Sequence, residues 1–168
     1  ISYAAAIEQI ILLGLSKNPS YVCFANVHMV IEAKEKEEFS RHVNNSSLVL
    51  ADGVPLVRSL KLLYNETQSR IAGMDVFPDL LAAASEAQLR VFFFGTTNEV
   101  LERIGQKAKL EYPDLDIVGF LSPPFDKPIN DPEYVDIIGN SKADLVFVAL
   151  GCPKQEIWMS ENFAKIFH

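Results

Sequence analysis

Five short apolar runs punctuate the chain, at residues 21–25, 48–51, 91–94, 117–120 and 145–150, and each gives way to turn residues and then to helical spacing. A helix between successive strands carries the chain back along the sheet, so this order dictates βαβ units and a mostly parallel sheet flanked by helices. Helical spacing runs over residues 4–13, 27–42, 55–64, 75–87, 98–111 and 131–141, with a last helix after Pro153. The run 145–150 is the strongest and is expected to be the most buried strand. With 168 residues and 49% hydrophobic content, the expectation is one compact α/β domain.

Function classes narrow on charge and cysteine usage. A net charge of −7 argues against nucleic acid as a partner, since phosphate affinity comes from clustered lysine and arginine. Cys23 and Cys152 lie far apart and match no zinc spacing, which fits packed thiols in a reducing compartment. No apolar stretch reaches the ~18 to 20 residues of a membrane span, and the start lacks a basic signal-peptide region, so the chain reads as cytosolic.

In open parallel sheets, ligands bind beyond the C-terminal ends of the strands. Asp52 stands there, directly after Leu48-Val49-Leu50-Ala51, and a carboxylate at that edge can take a proton. Asn26 and His28 follow the run 21–25 in the same way, so two neighbouring strand ends would bring Asn26, His28 and Asp52 together. For His28, substrate contact and local capping both remain open. Gly95-Thr96-Thr97-Asn98 closes a strand and opens a helix, which suits either a phosphate held by backbone N–H groups or a turn with a capping threonine. Arg70 precedes a helix, with Asp75 as its expected N-cap, and Arg70 would pair with an anion or with an active-site carboxylate.

Gly151-Cys152-Pro153-Lys154-Gln155-Glu156 follows the last strand, and places Lys154, Gln155 and Glu156 in the first turn of a helix on the ligand edge. No base is paired with Cys152 by any pattern, so it reads as a packed residue rather than a nucleophile. Asp114-Leu115-Asp116 has the form of a metal-binding triplet but precedes a strand, on the wrong edge of the sheet; it reads as a turn, and no metal is expected. The proline-rich residues 121–128 form a loop that would lie over a site.

Together Asn26, Ala51-Asp52-Gly53-Val54-Pro55, Arg70-Ile71-Ala72-Gly73-Met74-Asp75 and Gly151-Cys152-Pro153-Lys154-Gln155-Glu156 resemble, in order and spacing, the WecG/TagA/CpsF glycosyltransferases, family 26. The resemblance implies a Rossmann-like domain and an inverting, metal-independent transfer without a cofactor. An N-acetylmannosamine-type sugar would pass from UDP to a polyprenyl-diphosphate-linked N-acetylglucosamine, in making teichoic acid or surface polysaccharide. It makes Asp52 the base, with Asn26, His28, Arg70 and Gln155 on the substrates and Gly95, Thr96, Gly151 and Lys154 near the nucleotide.

The resemblance also implies a bacterial protein peripheral to the inner face of the plasma membrane. Phe24 stands where the family commonly carries threonine, and the family continues past residue 168, so residues 1–168 are expected to lack a C-terminal membrane-associating segment. Exposed apolar positions near either end would favour a homo-oligomer. A non-catalytic nucleotide-sugar-binding relative is the alternative, and a nicotinamide-type enzyme is disfavoured because no G-x-G-x-x-G is present.

Overall fold

The computed structural model describes residues 1–124 and 126–167. Among these, five strands alternate with helices as the sequence dictates. The strands are β1 (Val22–Ala25), β2 (Leu48–Ala51), β3 (Val91–Gly95), β4 (Ile117–Leu121) and β5 (Leu145–Ala149). α1 (Tyr3–Ser16) leads into β1, and α2 (Val27–Glu35) and α3 (Glu37–Asn44) join β1 to β2. α4 (Val54–Tyr64) and α5 (Gly73–Glu86) join β2 to β3, α6 (Asn98–Glu111) joins β3 to β4, α7 (Pro132–Asn140) joins β4 to β5, and α8 (Lys154–Ile166) follows β5.

The single helix expected over 27–42 is two. Lys36 adopts extended φ −126° and ψ 100° and breaks it, while its ammonium still meets Glu32 at 2.6 Å, the pairing that (i, i+4) spacing predicts. Side chains set the helix starts: Ser2, Asn26, Thr97 and Asp131 each accept a hydrogen bond from a first-turn N–H. Asp75 is not such a cap. Ala72 holds that position in α5, and Asp75 lies in the first turn.

All pairings are parallel, but the strands fall into two sheets, β1–β2 and β4–β3–β5. Alternation along the strands assigns the helices to faces. On one face Val91 and Phe93 pack with α5 and α6, Leu50 packs with α1 and α5, and Leu145 and Phe147 touch both groups. On the other, Phe92 and Phe94 pack with α7 and α8, whereas Cys23 and Ala25 pack with α2, α3 and the α8 residues Met159 and Phe163. α5 and α8 therefore bridge the two sheets, which lie in one layer with β5 beside β1. The lateral order is β4–β3–β5, a gap, then β1–β2.

The gap corrects one expectation. β3 is buried at all five positions, while β5 is half-buried to exposed, because its edge toward β1 has no strand beside it. The apolar run 145–150 records side chains on two covered faces, not the state of the strand's edge.

Candidate active site

Ligand crevices open where adjacent strands send their following helices to opposite faces. That happens twice here. The connection after β1 returns on the α8 face and α5 returns β2 on the opposite one, so a crevice opens between the ends of β1 and β2. The second opens between β3, followed by α6, and β5, followed by α8.

Asn26 and Asp52 flank the first crevice. The register pairs Ala25 with Ala51, and the Asp52 N–H donates to the Ala25 carbonyl at 2.7 Å, so the two polar residues emerge side by side. Asp52 is half-buried and Asn26 and His28 are exposed. Asn26 Oδ1 accepts from the Met29 N–H at 3.0 Å, which leaves its Nδ2 as the group free to face the crevice. His28 lies in the first turn of α2, as the sequence indicates.

Arg70 is brought to the same edge, because the neighbouring Ile71 N–H donates to the Ala51 carbonyl at 2.9 Å. Its guanidinium meets the Asp75 carboxylate at 2.8 Å rather than Asp52, and both side chains are about half exposed. Phe24 lies on the face of β1 toward α1 and α5. It packs in the cluster of Leu50, Ile71 and Val76, with its ring under Gly73.

The second crevice is built from turns. Gly95 has φ 109°, and a Cβ there would collide with the Ala149 carbonyl, so only glycine lets β3 end this close to β5. The Thr96 N–H donates to that carbonyl at 2.8 Å, and Thr97 caps α6. With the Val100 N–H taken by Thr97, the donors left for an anion at the start of α6 are the N–H groups of Asn98 and Glu99. Ser122 donates to the Thr96 carbonyl at 2.6 Å, tying the start of the 121–128 loop to this crevice; Phe125 of that loop lies outside the described residues.

Across from it, Gly151 has φ 79° and donates its N–H to Gln155 Oε1 at 3.1 Å. Gln155 Nε2 in turn donates to Glu156 Oε1 at 2.8 Å, so both ends of the amide are engaged. Lys154 is exposed at the start of α8. The Cys152 thiol is pushed up to about 12, by burial first and by the charge of Glu156 second, so it stays protonated at neutral pH and packs rather than attacks.

Sequence reasoning missed the burial of Glu156, which is 1% exposed with Oε2 unpartnered. The signal was available: Glu156, Met159, Phe163 and Ile166 share one helical stripe. Asp114 and Asp116 lie in the turn before β4, on the edge opposite both crevices. Among the described residues no three of His, Cys, Asp and Glu gather as metal ligands. No described helix is long and apolar enough to cross a membrane.

The family model of the WecG/TagA/CpsF glycosyl transferases matches residues 1–168. Curated relatives named N-acetylglucosaminyldiphosphoundecaprenol N-acetyl-β-D-mannosaminyltransferase match from several bacteria. That of Bacillus spizizenii is 33% identical over 141 residues, covering 83% of this chain and 53% of the relative. The Bacillus subtilis protein is 33% identical over 143 residues, 84% and 54% respectively. The Staphylococcus aureus protein is 29% identical over 147 residues, 86% and 56%. The chain thus spans about half the length of the curated relatives it matches.

Proposed function

The chain belongs to the WecG/TagA/CpsF glycosyltransferase family, and from that premise we propose that it carries the catalytic crevice of an inverting transferase. The donor is a UDP-linked N-acetylmannosamine-type sugar, and the acceptor is an N-acetylglucosamine on a polyprenyl diphosphate. The names of the curated relatives support the transferred sugar and the acceptor. The observation that carries the reading is Asp52, a half-buried carboxylate fixed at a strand end beside Asn26.

In the proposed reaction the acceptor hydroxyl oxygen bonds to the anomeric carbon as the bond from that carbon to the diphosphate breaks. The hydroxyl proton goes to Asp52. Asn26 Nδ2 and His28 orient hydroxyl groups of the substrates. Arg70 leaves Asp75 for the departing diphosphate, whose charge also meets Lys154 and the N-terminus of α6 after Gly95 and Thr96. Gln155 holds the Gly151 turn in place for the nucleotide. No metal enters the scheme, and the protein works at the cytoplasmic face of the membrane, where such acceptors are anchored.

The test is transfer from UDP-N-acetylmannosamine to a short-chain lipid-linked acceptor, by the protein at the full length of its relatives. Asp52→Asn is expected to lower turnover about 100- to 10,000-fold with UDP binding retained. An unimpaired Asp52→Asn protein excludes the base role, and activity abolished by a chelator excludes the metal-free scheme. UDP-sugar binding without transfer to any lipid-linked acceptor would assign a non-catalytic relative instead.

A further inference from the structure

Between β5 and β1 runs a cavity of about 380 Å³ whose walls are two strand edges. Consecutive residues of each strand line it, Val22 to Phe24 on one side and Leu145 to Val148 on the other, as happens at an edge and not on a face. Among the described residues β1 pairs only with β2 and β5 only with β3. In a parallel ladder the main-chain groups of successive residues turn to alternate sides. The carbonyls of Tyr21 and Ala25 accept from the β2 side and that of Ala149 from the β3 side, while the Leu145 N–H donates to Arg90. The N–H and C=O groups of Val22, Phe24, Val146 and Val148 therefore face the cavity.

Two buried side chains add to this demand. Glu156 Oε2 and Trp158 Nε1 have no hydrogen-bond partner, each residue is 1% exposed, and both line the same cavity. One lacks a donor and the other an acceptor. The faces are apolar, with Met159, Phe163 and Ile166 of α8 on one side and Ile10, Leu13 and Leu80 on the other. The volume alone would suit a small ligand. What the walls lack, however, is a row of alternating N–H and C=O groups between two apolar faces, and that describes a peptide strand.

We propose that the slot between β1 and β5 seats a sixth parallel strand, supplied by polypeptide continuing from α8, which joins the two sheets into one. α8 delivers the chain to the right place, because Ile166 and Phe167 line the cavity at the end where Tyr21 and Asp144 also stand, before β1 and β5 begin. A strand starting there runs parallel to both neighbours. Its crossover has the same hand as all others in the fold: β1 to β2 and β4 to β5 step one way with helices on the α8 face, and β2 to β3 and β3 to β4 step the other way with helices on the opposite face. The curated relatives are nearly twice as long as the matched region, so the family has chain to supply it. Buried on both faces, the strand reads as a continuous apolar run. The inference does not depend on the chemistry proposed for Asp52.

Amide hydrogen exchange on the 168-residue chain and on a chain extended to the length of its relatives tests this. The extended chain is expected to slow exchange at Val22, Phe24, Val146 and Val148 by about 100-fold or more, with far smaller changes at β4, which does not touch the slot. Placing a charge in the slot with Met159→Arg, in an extended chain whose circular dichroism stays native, is expected to reverse that protection. Equal exchange at the four amides in both chains overturns the proposal, as does slowing that is uniform over all five strands. Protection of the four amides in the shorter chain that grows with protein concentration assigns the slot to a second copy, and also overturns it.

Discussion

Gln155 Nε2 donates to Glu156 Oε1 at 2.8 Å, so a residue that holds the Gly151 turn at the ligand edge is tied to a carboxylate buried in the slot between the sheets. The crevice and the slot thus share one hydrogen-bonded unit at the start of α8. A change at either end is felt at the other.

Removing the amide should show this directly. Gln155→Ala leaves the Gly151 N–H and Glu156 Oε1 without their partner, in addition to the Oε2 that already lacks one, an expected loss of about 1–3 kcal/mol in urea unfolding. Gln155→Glu also sets a second negative charge beside the buried Glu156 and is expected to cost more than Gln155→Ala. Equal loss in the two variants would contradict the pairing.

The thiols should be inert. Cys23 and Cys152 are both pushed up to about 12, by burial first and by Glu156 second, against an ordinary 9.0. Alkylation at neutral pH is expected to run roughly a hundred-fold or more slower than for a free cysteine. Because the folded values are raised, their contribution to stability is fully present below pH 9 and declines above it, as the unfolded chain ionises. Glu156→Gln is expected to speed labelling of Cys152, which mass spectrometry reads.

Acid should attack the base of the β3–β5 pair. Asp144 accepts from Arg90 through both oxygens and from its backbone N–H, and the Arg90 guanidinium holds its carboxyl below the ordinary 3.8. The folded value is depressed, so this stability is present above pH 3.8 and is lost as pH falls through the folded value. Asp144→Asn is expected to lower Tm at pH 7 by a few degrees and to flatten the acid limb of the stability curve below about pH 4.

Arg70 separates a structural role from a functional one. Its pair with Asp75 is exposed and is expected to contribute under about 1 kcal/mol. If Arg70 meets the diphosphate, Arg70→Ala raises the KM for UDP-sugar about tenfold with little change in Tm, while Asp75→Asn leaves KM unchanged or lower. Matching KM changes in both variants would make the pair itself the functional element.

Gly95 sets the distance between β3 and β5. Gly95→Ala combines a left-handed backbone with a collision against the Ala149 carbonyl, and is expected to cost about 3 kcal/mol or more by urea unfolding.

The strand ends were legible in the sequence because apolar runs stop abruptly at Asn26, Asp52, Gly95 and Gly151, and parallel strands put all such stops on one edge. Turn chemistry was legible in part. The capping threonine left open in Gly95-Thr96-Thr97-Asn98 is Thr97, whereas Asp75 reads as a cap and instead meets Arg70, because the hydrogen-bond partner of a first-turn carboxylate depends on the chain that precedes the helix.

By itself the sequence determined the βαβ order, the parallel direction and the ligand edge, since these follow from local periodicity and from turn residues read one segment at a time. Only the tertiary structure decided that the sheet is split, that Glu156 and Trp158 carry unpartnered polar atoms there, and that Arg70 is held by Asp75 rather than by Asp52. Which edges meet, and which polar atoms are left over when they do, depends on segments more than a hundred residues apart. Hydrophobic patterning marks the faces of a strand but carries no record of its neighbours.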